Sequence, residues 1–210
     1  MADLHPLLAF ALTALVIEIT PGPNMTYLAA LSLSSGMRTG FAAVAGIALG
    51  LMSYGVIAAF GLAAVIDNSP LLYGVLRWGG VLFLLWLAWD AWSGHRDGAS
   101  EAADRNAQPW AAFRRGLITN LLNPKAAVFY IAVLPEFVRP DAGSVTSQTL
   151  LLSFIYVAIA TLIHTVIVTL AGSMQSMIDV ASNRRAIRGG FALALIGIAI
   201  WFAVTTGRPR

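Results

Sequence analysis

Apolar and polar residues fall along this chain in long blocks. Six apolar stretches occupy about 4–31, 41–66, 70–92, 110–137, 148–171 and 189–206. A helix crosses a bilayer with about 20 mostly apolar residues, so each stretch predicts one membrane span. The one long polar segment, 94–109 (GHRDGASEAADRNAQP), separates the third stretch from the fourth. It divides a single membrane domain, 1–210, into two three-span halves, 1–93 and 110–210. Trp86, Trp89, Trp92 and Trp110 flank it. Indole rings favour the headgroup layer, which predicts a connector at one membrane surface.

Loop charge then orients the spans. With the amino terminus outside, the inner loops hold Arg38, Arg96, Arg105, Arg114, Arg115, Arg184, Arg185 and Arg188. The outer side holds Arg139, Arg208 and Arg210. The inner excess of basic residues predicts both termini outside. The first stretch follows Asp3 and His5 rather than a basic region, is too long for a signal-peptide core, and contains Glu18. It is expected to stay as a helix rather than be cleaved. Ala42, Gly46 and Gly50, and again Gly190, Ala194 and Gly197, recur at helical spacing and predict faces where backbones approach closely.

Composition sharpens the class. The 210 residues are 58% hydrophobic and 11% charged, whereas soluble chains carry about 25% charged residues. A water-soluble domain beside the spans is excluded. With no cysteine, disulfides, thiolate metal sites and thiol nucleophiles are excluded too. Lys and Arg outnumber Asp and Glu by 13 to 10, an excess that loop charge explains without a nucleic-acid partner.

Two spans are interrupted near their centres. The first carries Glu18-Ile-Thr-Pro-Gly-Pro-Asn24, and the fourth Thr119-Asn-Leu-Leu-Asn-Pro-Lys125. Pro21, Pro23 and Pro124 remove backbone donors and clash with the preceding turn. Gly22 tolerates almost any backbone angle. Asn24, Asn120 and Asn123 are able to bond the freed backbone or a ligand. In hydrocarbon, such breaks persist only against protein or a water-filled cavity. Each falls in the first helix of a three-span half, and an odd number of spans turns the second half over. The expectation is an all-α polytopic integral membrane protein: six transmembrane helices as a 3+3 inverted repeat, with broken first and fourth helices. Paired interruptions of this kind point to a transporter's binding site.

Thr20-Pro21-Gly22-Pro23-Asn24, together with Asn120-Leu-Leu-Asn123-Pro124-Lys125 opening into Ala-Ala-Val-Phe-Tyr, resembles the lysine-exporter (LysE/RhtB-type) translocator family. Length and six-span layout match as well, so the resemblance covers essentially the whole chain. It implies export of amino acids or their derivatives across the bacterial cytoplasmic (inner) membrane, driven by the proton motive force. The family motif carries over to Pro21, Gly22, Pro23 and Asn24, and to Asn123, Pro124 and Lys125. It names no particular substrate and requires no cofactor.

Charge inside the spans adds candidate chemistry. A charged side chain at the bilayer centre costs about 2.5–3.5 kcal/mol on insertion scales. Glu18 and Lys125 both sit near mid-span, and Lys125 is the only lysine in the chain. If the breaks meet, the two are close. Opposite charges about 4 Å apart attract by about 4 kcal/mol at an effective dielectric of 20, an attraction that desolvation opposes. A static pair and a functional one both fit. In the functional reading, helix amino-terminal ends and Lys125 attract a substrate carboxylate, while Glu18 faces its ammonium or carries the coupling proton. His164, within the fifth span, is either a proton relay or a hydrogen-bonded histidine of the bundle. Arg77 is expected to snorkel. Asp67, Asp90 and Glu136 are expected near the interfaces, and Tyr54, Tyr130 and Tyr156 either line a pathway or pack.

Other classes compete. A rhomboid-like intramembrane hydrolase would need a serine such as Ser153 or Ser173 with His164 as base, yet no Gly-x-Ser-Gly run presents a nucleophile. Histidines stand only at 5, 95 and 164, without a His-Glu-x-x-His helix, so no metal is expected. A passive small-solute channel remains an alternative to a carrier. The expected partners are therefore a small amino-acid-like substrate, protons and the lipid bilayer, with homodimerisation left open.

Overall fold

The computed structural model describes residues 4–61 and 107–174 without interruption, together with scattered helical positions within 71–92 and 189–204. Among the described residues every regular element is helical. Most of the third and sixth expected spans, residues 94–106 of the connector, and Asp67, Arg77, Asp90 and Ala194 lie outside the described residues.

Helix α1 (Leu4–Ile19) ends as expected. Thr20 N closes the last turn on Ile17 O at 3.2 Å, and Pro21 then has no donor to continue the ladder. Gly22 is extended, and α2 (Pro23–Ser35) restarts with proline in its first turn, where a missing donor costs nothing. The two segments bend by 57°. Gly36 then turns the chain with φ +83°, a left-handed conformation that suits glycine, into α3 (Met37–Ala59). This helix was expected to reach residue 66. It stops at Ala59 because Gly61 adopts φ +76°, a common helix-ending conformation.

The second broken span repeats the theme with different chemistry. Helix α4 (Ala107–Leu121) gives way at Leu122 and Asn123 to the short α5 (Pro124–Val128), with a bend of 52° across the span. Regular α-helix does not resume fully. A π turn spans Phe129–Val133 and a 3-10 turn Leu134–Phe137. Pro135 cannot donate to the carbonyl four residues back, so the helix widens before it tightens. Helix α6 (Val145–Ser173) follows, with Ser144 Oγ accepting from Ser147 N at its start.

Helices α3 and α6 are each long and apolar enough to cross a bilayer, with mean hydropathy 2.0 and 2.3, and each bent pair qualifies as one broken span. Contacts between the broken spans fix their relative direction. Phe10 packs on Phe137 (ring centroids 5.2 Å apart), Lys125 reaches Thr20, and Asn24 bonds Asn120. As residue number rises in one span it falls in the other, so the two are antiparallel. Gly172, near the end of α6, abuts Met37 at the start of α3, placing those two ends on one surface.

Close packing runs through the expected small residues of α3. A side chain at Gly46 would strike the Phe113 carbonyl, and one at Gly116 the Ala43 carbonyl. Helices α3 and α4 therefore touch backbone to backbone, as small residues allow in membranes. In the sixth span no described atom lies within 4 Å of where a Cβ would stand at Gly190 or Gly197, and Ala194, the third residue of that expected face, lies outside the described residues.

Polarity is distributed inside out. Leu12, Val16, Phe154, Leu162 and Leu170 are each more than 60% exposed, while Glu18, Asn24, Asn120, Asn123 and His164 are at most 5% exposed. An apolar exterior around a polar interior suits hydrocarbon as solvent. Trp86, Trp89, Trp92 and Trp110 are exposed as well, and the Arg115 guanidinium lies 5.1 Å from the Trp86 ring, a cation–π distance.

Candidate functional site

Both breaks open onto one small cavity. Glu18, Gly22, Asn24, Met25, Asn123, Lys125, Ala126 and Tyr156 line it. It leaves about 10 Å³ for the centre of a solvent molecule, the room of about one water. The polar centre is thus narrow among the described residues.

Glu18 is the buried acid of this site. Tyr156 donates from its hydroxyl to Oε2 at 3.0 Å, and His164 Nε2 lies 3.0 Å from Oε1. That contact is within ion-pair distance, with no aligned hydrogen bond at Nε2 among the described residues. Both partners come from α6, two turns apart on one helix face. Tyr156 is held by rings: Phe129 stacks on it at 3.7 Å, and Tyr130 meets it edge-on at 5.7 Å. Tyr54 stacks on Tyr130 at 5.8 Å and donates to Leu121 O at 2.6 Å, just before the second break. The three tyrosines are thus a packed cluster, of which Tyr156 alone reaches the cavity.

Lys125 bridges the two breaks. Its Nζ donates to Thr20 O at 2.7 Å, a carbonyl that the first break leaves without a helical partner. Among the described residues no direct ion pair joins Glu18 to Lys125. They share a cavity rather than a bond, because the freed carbonyl competes successfully for the ammonium. A second tie runs from Asn24 Nδ2 to Asn120 Oδ1 at 2.9 Å, leaving Asn24 Oδ1 and Asn120 Nδ2 buried without partners among the described residues. Gly50 makes room for Asn120, since a Cβ there would stand 2.7 Å from Nδ2. Asn123 Oδ1 accepts from Lys125 N at 3.0 Å and caps α5.

Of the sequence candidates, Glu18, Gly22, Asn24, Asn123 and Lys125 line the cavity. Thr20 contributes its carbonyl, while its hydroxyl is bonded to Val16 O. Pro21 is exposed, and Pro21 and Pro23 shape the first break without lining the cavity, while Pro124 opens α5 and its side chain lies outside what the structure describes. Asn120 stands behind Asn24, and His164 behind Glu18. Met25 and Ala126 line the cavity without having been foreseen; each sits next to a motif residue, and only the helix restarts turn them inward. The hydrolase arrangement is absent among the described residues: Ser153 Oγ donates to Thr149 O, Ser173 Oγ to Leu170 O, and His164 faces Glu18.

Apolar-faced helices around a polar pair of breaks define an integral membrane protein with a polar cavity between its broken helices. The chain matches the family model for the LysE type translocator over residues 15–206, and it belongs to that family. It is 26% identical to a homoserine/homoserine lactone efflux protein of Salmonella typhimurium over 183 residues, covering 87% of this chain and 88% of that one. It is 33% identical to a leucine efflux protein of Klebsiella pneumoniae over 138 residues, 64% of each chain. An uncharacterised membrane protein of Vibrio cholerae is 30% identical over 138 residues, 66% of this chain and 67% of its own. No solved structure matches. The named relatives are efflux proteins of bacteria, not enzymes.

Proposed function

We propose that the protein exports a small amino acid or close derivative from the bacterial cytoplasm by proton antiport, alternately opening the cavity between its broken helices to either side. The observation that carries this reading is Glu18: an acid 4% exposed, in reach of Tyr156 and His164, facing a cavity that also holds Lys125. A zwitterion would set its carboxylate toward Lys125 and the start of α2, and its ammonium toward Glu18. Proton arrival at Glu18 would then release the ammonium, coupling entry of one to exit of the other. His164 stands where it would relay that proton.

Several features support the finer reading. Antiparallel broken spans fit a six-helix, 3+3 inverted repeat in the inner membrane. The excess of basic residues in the expected inner loops supports both termini on the periplasmic side. A cavity with room for about one water supports a carrier over a continuous pore.

Proteoliposome counterflow with labelled leucine and homoserine, under imposed pH gradients, tests the reading. Wild-type protein is expected to exchange substrate and to drive net export with inward proton flow. Glu18→Gln is expected to lower gradient-driven export at least tenfold at equal reconstitution. Gradient-driven export by Glu18→Gln at the wild-type rate would remove Glu18 from the mechanism.

A further inference from the structure

The carboxyl-terminal end of α1 is built as a cation site. Its last carbonyls have no helical partners beyond the break, and a helix carries about half a negative charge at this end. Glu18, in the same final turn, adds a full carboxylate facing the same cavity. Carbonyl ends of broken helices in this setting bind small cations in transporters. Here the position is already filled. The ammonium on Thr20 O, at 2.7 Å, belongs to Lys125 and arrives from the opposite break. It is a lysine in a chain whose other twelve basic side chains are arginine. An ammonium on a flexible stem has the size and donor number of a free primary amine, which a planar guanidinium lacks.

The geometry points to Lys125 as a tethered stand-in for the substrate's own ammonium. In the empty protein its head occupies the ammonium subsite formed by Thr20 O beside Glu18. An incoming primary amine displaces it, and the freed lysine turns to the partner carboxylate of the same ligand. The arrangement keeps the α1 carbonyl and the Glu18 carboxylate compensated when no substrate is bound, so the empty protein is able to reorient without a metal cation. The ligand class is thereby a primary ammonium compound, with no Na⁺ requirement. That identity of the displacing ligand rests on the carrier reading above; the cation site itself does not.

Removing the tether should leave a site that small amines fill. Lys125→Ala and Lys125→Met are purified and their thermal midpoints measured with ethylammonium or tetramethylammonium chloride at equal ionic strength. Ethylammonium is expected to raise the midpoint of either variant by several degrees and to leave wild type unchanged, because it carries no carboxylate to receive a displaced Lys125. Tetramethylammonium, equally charged but without an N–H donor, is expected to shift none of them. A folded variant that ignores ethylammonium, or responds equally to both salts, overturns the proposal. Should a variant aggregate on extraction, ethylammonium in the purification buffer is expected to restore a monodisperse peak; failure to do so for both variants also overturns it. Absence of wild-type counterflow would defeat the transport reading while leaving this binding result standing.

Discussion

The two helix breaks perform the same backbone operation with opposite local economy. At the first, Pro21, Gly22 and Pro23 stop one helix and start the next with no side chain capping the restart. At the second, Asn123 caps its own restart by accepting from Lys125 N. The first break therefore leaves the Thr20 carbonyl to a distant side chain, whereas the second caps its own restart and draws Tyr54 onto the Leu121 carbonyl. What each lacks comes from the other: Lys125 serves the Thr20 carbonyl, and Asn120 serves Asn24. An unsatisfied group in hydrocarbon costs several kcal/mol, so neither break is expected to be stable without its counterpart. The site is consequently a property of the pair.

Substitutions separate the cross-ties from the local cap. Asn120→Ala, which leaves the Asn24 amide without a partner, is expected to cost the most, about 1–3 kcal/mol, read as a lowered denaturation midpoint in detergent. Adding Asn24→Ala to it should then cost less than Asn24→Ala costs alone, because contacting residues are not additive. Simple additivity would mean the cross-tie contributes nothing. Asn123→Ala removes only the cap and is expected to cost about 1 kcal/mol. A loss equal to that of Asn120→Ala would erase the distinction between the breaks. Gly22→Ala is expected to have the smallest effect on stability, below about 0.5 kcal/mol. Gly22 has an extended backbone that any residue adopts, and its Cβ would stand 3.4 Å from Lys125 Cδ, in ordinary contact. The same methyl enters a cavity with room for about one water, so counterflow should fall although the protein stays folded. Unchanged counterflow would show that the open first break does not face the substrate.

Much of this was legible along the chain because its causes are local. Apolar runs report their need for hydrocarbon, and a proline stops a helix within four residues of itself whatever surrounds it. The membrane class, both breaks and their motif residues follow from that. Two further local signals lie in the sequence: Gly61, which ends α3 early, and Pro135, which widens the second broken span into a π turn. Both act by the same backbone rules, so their effects were readable in principle.

The partners of the buried charges belong to another category. Glu18 and Lys125 were readable as neighbours across the breaks, but not the choice that Lys125 makes for the Thr20 carbonyl over Glu18. Nor was the choice that Glu18 makes for Tyr156, 138 positions away, and for His164. Several polar groups near one another allow many pairings of similar energy, and a sequence lists the groups without their distances. Only packed helices, brought together through Gly46, Gly50 and Gly116 and a stack of aromatic rings, select one pairing from the many.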